Sequence, residues 1–339
     1  MADNVLLTGK LPLEVLEDLL RCCTPQDPRV VVGARVGEDV AVLDFGDRFL
    51  VAKSDPITFA TDRIGWYAVH VNANDIATAG AAPRWMLATM LLPEGKATTA
   101  LAREIIEQIA AACRGLGITL IGGHTEVTYG LDRALVVGHM LGEVARERLV
   151  TTGGVRIGDA IVLAGGIAVE GSALIARERA EEARRLGVDE ETIAQARGYL
   201  DDPGISVVRA AQVAVESVAV HAMHDPTEGG LATGLHELAW AAGLGLEVDG
   251  DSIPVLPACE RLCTAFHLNP LGLIASGALL VAVAAEDVPA LGAAYQQAGI
   301  PWASIARARP AEYGVRLVRR GREQALPRFD RDEVTRVLA

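Results

Sequence analysis

Short apolar runs and longer amphipathic stretches alternate along the chain, a pattern typical of a mixed α/β protein. In the first half, helical spacing of apolar residues predicts helices over residues 11–23, 63–79 and 98–116, and Asp62 could cap the second of them. Apolar runs that end at Gly, Pro or Asp predict strands over residues 40–44, 48–52, 85–92, 118–121 and 133–144. The first two strands flank Phe45-Gly46-Asp47 and are typical of a hairpin.

The alternation starts again after a break at Thr151-Thr152-Gly153-Gly154. We therefore expect two domains, residues 1–150 and 151–339. The predicted strands of the second domain cover residues 160–163, 218–221, 246–248 and 277–283, and a final strand pair covers 302–306 and 315–319. Its predicted helices include one from residue 169, a charged stretch over 177–200, one that ends at 242, and those over 258–266 and 288–298.

Composition narrows the functional classes. The 339 residues are 50% hydrophobic but only 4% aromatic, so we expect aliphatic cores. A net charge of −13 argues against a general nucleic-acid binder or a protein of anionic membranes, which would carry a basic stripe. No apolar run approaches the roughly 20 residues of a membrane span, and residues 1–4 do not begin a secretory signal. We expect a cytoplasmic protein.

The five cysteines form neither a pair of zinc-ligand pairs nor a secreted disulfide framework. Cys259 and Cys263 are one helical turn apart, which predicts two buried structural thiols on one helix face.

Four carboxylates of the first domain stand where apolar segments begin or end: Asp39, Asp55, Asp75 and Glu126. Mg²⁺ prefers oxygen ligands, and proteins hold it with a few carboxylates together with substrate phosphates. Taken alone, Asp55 before Pro56 is more typical of a turn, and Asp39 is equally consistent with a solvated strand end. Their joint occurrence favours a site for a divalent cation and phosphate.

The predicted helix over residues 63–79 carries Asn72, Asn74 and Asp75, which are poor residues for a helix interior. Asn74 and Asp75 would share one face of the helix and project together. A ligand role and a buried polar cap for a neighbouring loop both explain them, and the need of three polar groups for partners favours the ligand role.

Two glycine-marked segments are candidates for binding an anion. Gly122-Gly123 follows a predicted buried strand, where a tight turn and a phosphate-binding backbone are equally consistent with the sequence. In the second domain, the turn from Asp225 to Gly230 precedes a helix that Thr227 could cap, so this helix end is either an anion site or only a capped end. His124, directly after Gly123, fits a core histidine, or one that supports a neighbouring ligand residue, more easily than a proton carrier.

The common nucleotide motifs are absent from the sequence. Gly166 to Gly171 has the glycine spacing of a P-loop, but Ser172-Ala173 stands where Lys-Ser/Thr is required. No Gly-x-Gly-x-x-Gly opens a predicted helix. If the chain binds ATP, it does so with another fold.

The ordered motifs resemble the aminoimidazole ribonucleotide (AIR) synthase-related superfamily, over nearly the whole chain. They are Gly37-Glu38-Asp39-Val40-Ala41-Val42, Ser54-Asp55-Pro56, Val71-Asn72-Ala73-Asn74-Asp75, Gly122-Gly123-His124-Thr125-Glu126 and Asp225-Pro226-Thr227-Glu228-Gly229-Gly230. Within the superfamily they are most similar to the HypE group of hydrogenase maturation. The resemblance implies a two-domain α/β (α+β) fold, in which the N-terminal ATP-binding domain forms a barrel with a second copy and the C-terminal domain is α/β.

The resemblance also implies roles for individual residues. As metal ligands it implies Asp39, Asp55, Asp75 and Glu126. As contacts to ATP or its phosphates it implies Asn72, Asn74, Gly122, Gly123 and Thr125. Lys53 departs from the family pattern, which has a small or hydroxyl residue before Ser/Thr-Asp. We predict that Lys53 reaches a phosphate, although a lysine at a strand edge explains the residue more simply. We expect the turn from Asp225 to Gly230 to face the acceptor, and we predict Asp225, Thr227 and His124 as catalytic residues.

The implied activity is transfer of a phosphoryl group from Mg²⁺-ATP to an amide or other oxygen, in a homodimer that works with a carbamoyl-transfer or metallocentre-assembly protein. HypE proteins act on a cysteine at their own C-terminus, whereas no cysteine follows Cys263 in this sequence. We therefore keep two alternatives, a small-molecule kinase of the thiamine-monophosphate type and a nucleotide-binding dimer without catalysis.

Overall fold

A computed structural model describes residues 10–23, 25–58 and 62–338. These residues form two compact units. The N-terminal unit comprises the described residues of 25–33 and 39–149, and the C-terminal unit comprises 10–23, 34–38 and 150–338. Both units combine a β-sheet with helices, so the α/β prediction is confirmed.

The strands are β1 (Val30–Val32), β2 (Ala41–Asp44), β3 (Arg48–Ile57), β4 (Ala82–Pro93), β5 (Thr119–Thr128), β6 (Leu135–Ala145), β7 (Ala160–Ala164), β8 (Val220–His224), β9 (Gly245–Asp249), β10 (Leu279–Val283), β11 (Trp302–Arg309), β12 (Val315–Arg319) and β13 (Arg322–Ala325). The helices are α1 (Leu13–Leu20), α2 (Ile64–Thr78), α3 (Thr99–Gly115), α4 (Val169–Glu178), α5 (Ala180–Arg185), α6 (Glu190–Gly198), α7 (Val208–Ser217), α8 (Gly230–Ala242), α9 (Pro257–Phe266), α10 (Val288–Ala298) and α11 (Thr335–Leu338). None of the helices in the described residues is long and apolar enough to cross a membrane.

The N-terminal unit is a six-stranded sheet in the order β1-β2-β3-β6-β4-β5, and α2 packs on β3, β6 and β4. Residues along β6 alternate between half-buried and buried, because one face of this strand lies under the helix. Two glycines of β6 allow the close approach. A Cβ at Gly142 would lie 2.3 Å from Cγ2 of Ile76 on α2. The helix that carries the polar residues is therefore seated directly on the central strands.

Two local predictions for this unit are wrong. The residue at the N-cap of α2 is Arg63, in a left-handed conformation, rather than Asp62. Gly122-Gly123 does not end a short buried strand, because β5 continues through both glycines to Thr128 and is largely exposed at the edge of the sheet. A Cβ at Gly123 would lie 1.9 Å from the carbonyl oxygen of Ala88 on β4, so glycine is needed here for strand contact rather than for a turn.

The C-terminal unit is a seven-stranded sheet in the order β13-β12-β9-β11-β7-β10-β8. Every residue of β7 and β10 is buried, as expected of central strands covered on both faces. The predicted final strand pair, β11 and β12, is not paired directly, because β9 lies between them. The helix α8 packs its apolar residues, among them Leu231, Leu235 and Leu238, into the core of this unit.

Candidate functional site

A lysine surrounded by carboxylates lies on one face of the N-terminal sheet. Nζ of Lys53, on β3, is 3.1 Å from Oδ1 of Asp75 on α2 and 3.6 Å from Oδ2 of Asp55 on β3. Asp39, just before β2, places a carboxylate oxygen within 4.8 Å of one from Asp75. Lys53 and Asp55 face the same side because they are two residues apart in a strand. The structure therefore brings together three of the four carboxylates predicted as metal ligands.

The charges of this cluster are strongly coupled. Burial opposes the positive charge of Lys53, but the carboxylates of Asp75, Asp55 and Asp39 outweigh it and raise the pKa of Lys53 above its usual value. The ammonium is thus retained beside these carboxylates.

The donor set fits a hard divalent ion. Mg²⁺ binds oxygen at about 2.0–2.1 Å, so two oxygens on one ion lie about 3–4 Å apart. The Asp39 and Asp75 oxygens are within 4.8 Å of one another. The ammonium of Lys53 already lies among these groups as an internal cation. These residues would hold Mg²⁺ with small side-chain adjustments.

The side-chain amide of Asn72 binds the backbone of Asp55. Oδ1 of Asn72 accepts a hydrogen bond from the Asp55 N–H at 2.9 Å, and Nδ2 donates to the carbonyls of Ala68 at 2.9 Å and Asp55 at 3.3 Å. Asn72 and Asn74 are both fully buried within α2. Direct contact of either residue with a nucleotide stays a prediction.

Glu126 is separated from the three clustered carboxylates within one chain. Asp55 pairs with Gly138 on β6, Gly138 with Ala88 on β4, and Ala88 with Gly123 on β5, which is three strand spacings or about 14 Å. Glu126 is further along β5, opposite Leu91, and its side chain is half exposed. Within one chain the structure brings Asp39, Asp55 and Asp75 together but not Glu126, whose role as a metal ligand stays a prediction.

The rest of the Gly-Gly-His-Thr-Glu segment is exposed as well. His124 is not a core residue, since its side chain is 63% exposed and its Nε2 lies 3.2 Å from Oε2 of Glu126. Gly122, Gly123 and Thr125 present an open strand edge. Their predicted contacts to phosphate, and the catalytic role of His124, stay predictions.

In the C-terminal unit, the Asp225 carboxylate is buried and only 3% exposed. Thr227 does not cap α8, because the N-cap residue is Gly229, with a φ of 78° and no side-chain cap. The roles of Asp225 and Thr227 toward an acceptor stay predictions.

The N-terminus of α8 does bind an anion, which the chain itself supplies. Asp332 accepts hydrogen bonds from the backbone N–H groups of Gly229 at 2.7 Å, Val334 at 2.8 Å and Ile274 at 3.2 Å. Burial raises the pKa of Asp332 to about 6, although these hydrogen bonds oppose the shift. No local pattern predicts this contact, because about a hundred residues separate its two ends.

Two further buried acids were missed by sequence analysis. Burial opposes ionisation of Glu237, but Lys10 and His224, at 3.2 and 3.0 Å, lower its pKa to about 2. Glu170 lies near the start of α4, and burial raises its pKa to about 7 against the effect of a hydrogen bond with Ser276. For both residues, the signal in the sequence is a glutamate within a mostly apolar helix.

Comparisons with known proteins assign the chain to a family. Residues 37–144 match the family model "AIR synthase related protein, N-terminal domain", and residues 156–318 match "AIR synthase related protein, C-terminal domain". The chain belongs to the AIR synthase-related family.

Among the curated members of the AIR synthase-related family, two carbamoyl dehydratases named HypE are close relatives. The protein from Cupriavidus necator is 33% identical over 268 residues, which cover 77% of this chain and 73% of the relative. The protein from Rhodobacter capsulatus is 32% identical over 272 residues, which cover 79% of this chain and 75% of the relative.

Solved structures of the AIR synthase-related family share this fold. HypE in a HypE–HypF complex superposes with a TM-score of 0.74 at 20% identity, covering 93% of this chain and 99% of that one. HypE in complex with ATP superposes with a TM-score of 0.72 at 23% identity, and the match covers 96% of this chain and 97% of that one. ThiL complexed with AMPPCP and TMP superposes with a TM-score of 0.72 at 18% identity, and the match covers 95% of this chain and 98% of that one.

Proposed function

We propose that this chain is a HypE-like enzyme that uses Mg²⁺-ATP to activate an amide oxygen by phosphoryl transfer. The observation that carries the proposal is the cluster of Asp39, Asp55 and Asp75 around Lys53. It lies in a chain one-third identical to a carbamoyl dehydratase, and a HypE of the same fold is known with ATP.

The proposed chemistry is the dehydration of a carboxamide. The amide oxygen attacks the γ-phosphorus of ATP and ADP leaves. The C–O bond then breaks with phosphate as the leaving group, the nitrogen loses two protons, and a nitrile forms. Phosphoryl transfer asks the protein mainly for positioning and for charge neutralisation.

The cluster divides these tasks among its residues. Asp39, Asp55 and Asp75 would hold Mg²⁺, which supplies positive charge at the phosphate oxygens. Lys53 has a charge retained by its neighbours and would turn from the carboxylates to a phosphate oxygen once the metal neutralises them. Asp225 and Thr227, with His124, are proposed to act toward the acceptor.

We also propose a homodimer that forms through β5. This edge strand is exposed along most of its length, and Ile121 and Val127 on it are 52% and 56% exposed. An open strand edge with apolar side chains is a ready surface for strand pairing. Pairing with a second copy would bring Gly122, Gly123, Thr125 and Glu126 into a subunit interface, where they would serve the nucleotide.

The proposed partner is a carbamoyl-transfer protein of the HypF type, because a HypE of this fold is known in complex with HypF. Such a partner, once carbamoylated, would itself carry the carboxamide on which the ATP-dependent step acts.

A second function, phosphorylation of a small molecule such as thiamine monophosphate, is favoured by one observation. The fold superposes on ThiL with AMPPCP and TMP as well as on HypE with ATP.

ADP release with Mg²⁺-ATP separates the two functions. The proposal predicts turnover with a carbamoylated HypF-type partner and none with thiamine monophosphate. Turnover with thiamine monophosphate alone would instead establish the kinase, and ATP binding without turnover under either condition would contradict both activities.

A further inference from the structure

We propose that Asn72 is a positioning residue that clamps the peptide of Asp55, and that Gly138 is glycine because the clamp occupies the space of its side chain. The proposal deepens the function proposed above, since it concerns one of the residues that would hold Mg²⁺.

The side-chain amide of Asn72 uses both of its N–H donors in hydrogen bonds to backbone carbonyls. A side-chain amide has two N–H donors and one carbonyl acceptor. In Asn72 the acceptor binds the N–H of Asp55, and the donors bind the carbonyls of Asp55 and Ala68. Asn72 is 0% exposed. It therefore acts on a ligand through Asp55 rather than by touching it.

The backbone of Asp55 needs these hydrogen bonds because β3 extends beyond the end of its neighbour β2. The pairing of β2 with β3 ends where Ala41 meets Ala52, so in the described residues the later part of β3 has a strand partner only in β6. Asn72 supplies Asp55 with the two hydrogen bonds that a second strand would have made. The backbone that carries the carboxylate is thus fixed on both sides of the residue.

Gly138 on β6 admits the clamp. It pairs with Asp55 in the sheet, and a Cβ built there would lie 2.3 Å from Nδ2 and 2.8 Å from Cγ of Asn72. Gly138 does not have a positive φ, so backbone conformation does not require glycine at this position. The requirement is space, and any side chain at 138 must displace the Asn72 amide.

The consequence is a fixed direction for the Asp55 carboxylate. Its Oδ2 lies 3.6 Å from the ammonium of Lys53, beside the carboxylate of Asp75. Groups that orient a metal ligand typically contribute about 10- to 100-fold to metal affinity. We expect the clamp to act on the affinity for the metal and to leave metal-free nucleotide binding unchanged.

The test compares Asn72→Ala, Gly138→Ala and the double variant. Mn²⁺, which can be followed by EPR, is titrated into the ATP complex, and ATP is titrated separately in EDTA. Each single variant should weaken Mn²⁺ binding by about tenfold or more, with ATP binding in EDTA unchanged. Equal loss of ATP affinity in EDTA for Asn72→Ala would show direct contact with the nucleotide and overturn the proposal.

A double-mutant cycle on the unfolding of the apo protein tests the clamp without any ligand. Once Asn72 is Ala, a methyl group at 138 should enter the vacated space, so Gly138→Ala should cost much less stability in the Asn72→Ala background than in the wild-type protein. Additive losses would overturn the link between the two residues. Gly142→Ala, which meets Ile76 instead, is the control and should lower stability additively with Asn72→Ala.

These two measurements separate the clamp from the proposed function. If the wild-type protein binds no Mn²⁺-ATP, the proposed function fails, while the unfolding cycle still decides whether Asn72 and Gly138 are coupled.

Discussion

Nζ of Lys53 lies 3.1 Å from Oδ1 of Asp75, joining a central strand of the N-terminal sheet to the helix that covers it. Asp75 is buried, and the side chain of Lys53 is only 19% exposed. A charge pair in such surroundings costs desolvation, and removal of one partner leaves the other uncompensated. The ammonium therefore acts as an internal counterion for a site that has more acidic groups than basic ones.

Replacement of this counterion should make the apo protein dependent on metal. Lys53→Met leaves Asp39, Asp55 and Asp75 to repel one another, and we expect the free energy of unfolding to fall by about 3 kcal/mol. Millimolar Mg²⁺ should restore part of the loss because it binds only the folded state. Thermal melts with and without Mg²⁺ measure both effects. Lys96→Met, which removes a surface lysine bound to a backbone carbonyl, should change neither.

Glu170 should make stability depend on pH. Its folded-state pKa is raised from 4.5 to about 7, first by burial and then by Asp332 and Glu228. The folded state therefore binds more protons than the unfolded state between these values, and wild-type stability falls as the pH rises through this window. Above pH 7 the cost of the buried charge is complete.

The variant Glu170→Gln removes that cost. It should be more stable than wild type at pH 8.5, by about 3–4 kcal/mol as an upper estimate from the shift, and the difference should disappear as the pH falls toward 4.5. Urea unfolding across this pH range measures it. Equal stability of the two proteins at pH 8.5 would contradict the burial of an ionised Glu170. Glu17→Gln, at an exposed position of α1, serves as the control.

The two glycines of β5 should differ in their tolerance of a methyl group. A Cβ at Gly123 would collide with the carbonyl of Ala88, whereas one at Gly122 meets nothing within 4 Å. Gly123→Ala should lower the free energy of unfolding by about 2 kcal/mol or more. Gly122→Ala should show only backbone strain of about 1 kcal/mol, because its φ is also positive. Chemical unfolding of both variants measures the two losses of stability. A larger loss for Gly122→Ala than for Gly123→Ala would refute the contact between β5 and β4.

The exposed edge strand β5 should determine whether the protein is a monomer or a dimer. Light scattering should show a dimer for the wild-type protein, and Ile121→Lys should weaken the dimer strongly, because it places a charge on the pairing strand. Ile157→Lys, at an equally exposed apolar residue of the C-terminal unit, should have no effect. A monomeric wild-type protein, or a dimer that Ile121→Lys leaves intact, would argue against pairing through β5.

The amphipathic and apolar periodicities were sufficient to predict most elements of this fold. Residues 63–79 were predicted as a helix and α2 spans Ile64–Thr78, since its apolar faces pack on the sheet. The misread segment was Gly122-Gly123, because a glycine pair indicates a turn as readily as a close strand contact. The prediction that Thr227 caps α8 was wrong for a related reason, as glycine itself occupies the N-cap.

The site was predictable in its chemistry but not in its contacts. Asp39, Asp55 and Asp75 were recognised as candidate ligands from their positions, and the structure brings them together around Lys53. Glu126, predicted with them, lies on β5 at the edge of the sheet, a placement that the sequence does not reveal because it does not give the order of strands. The hydrogen bond between Asp332 and Gly229 depends on a contact over a hundred residues, which no local pattern encodes.

The most direct test of the proposed function is calorimetric titration of Mg²⁺-ATP into the wild-type protein and into Asp75→Asn. The substitution preserves the shape of a buried side chain and removes the charge that faces Lys53 and Asp39. We predict that Mg²⁺ strengthens ATP binding by the wild-type protein and by the surface control Asp47→Asn, and that Asp75→Asn loses this strengthening. Unchanged Mg²⁺-dependent affinity in Asp75→Asn would contradict the assignment of this cluster as the metal and nucleotide site.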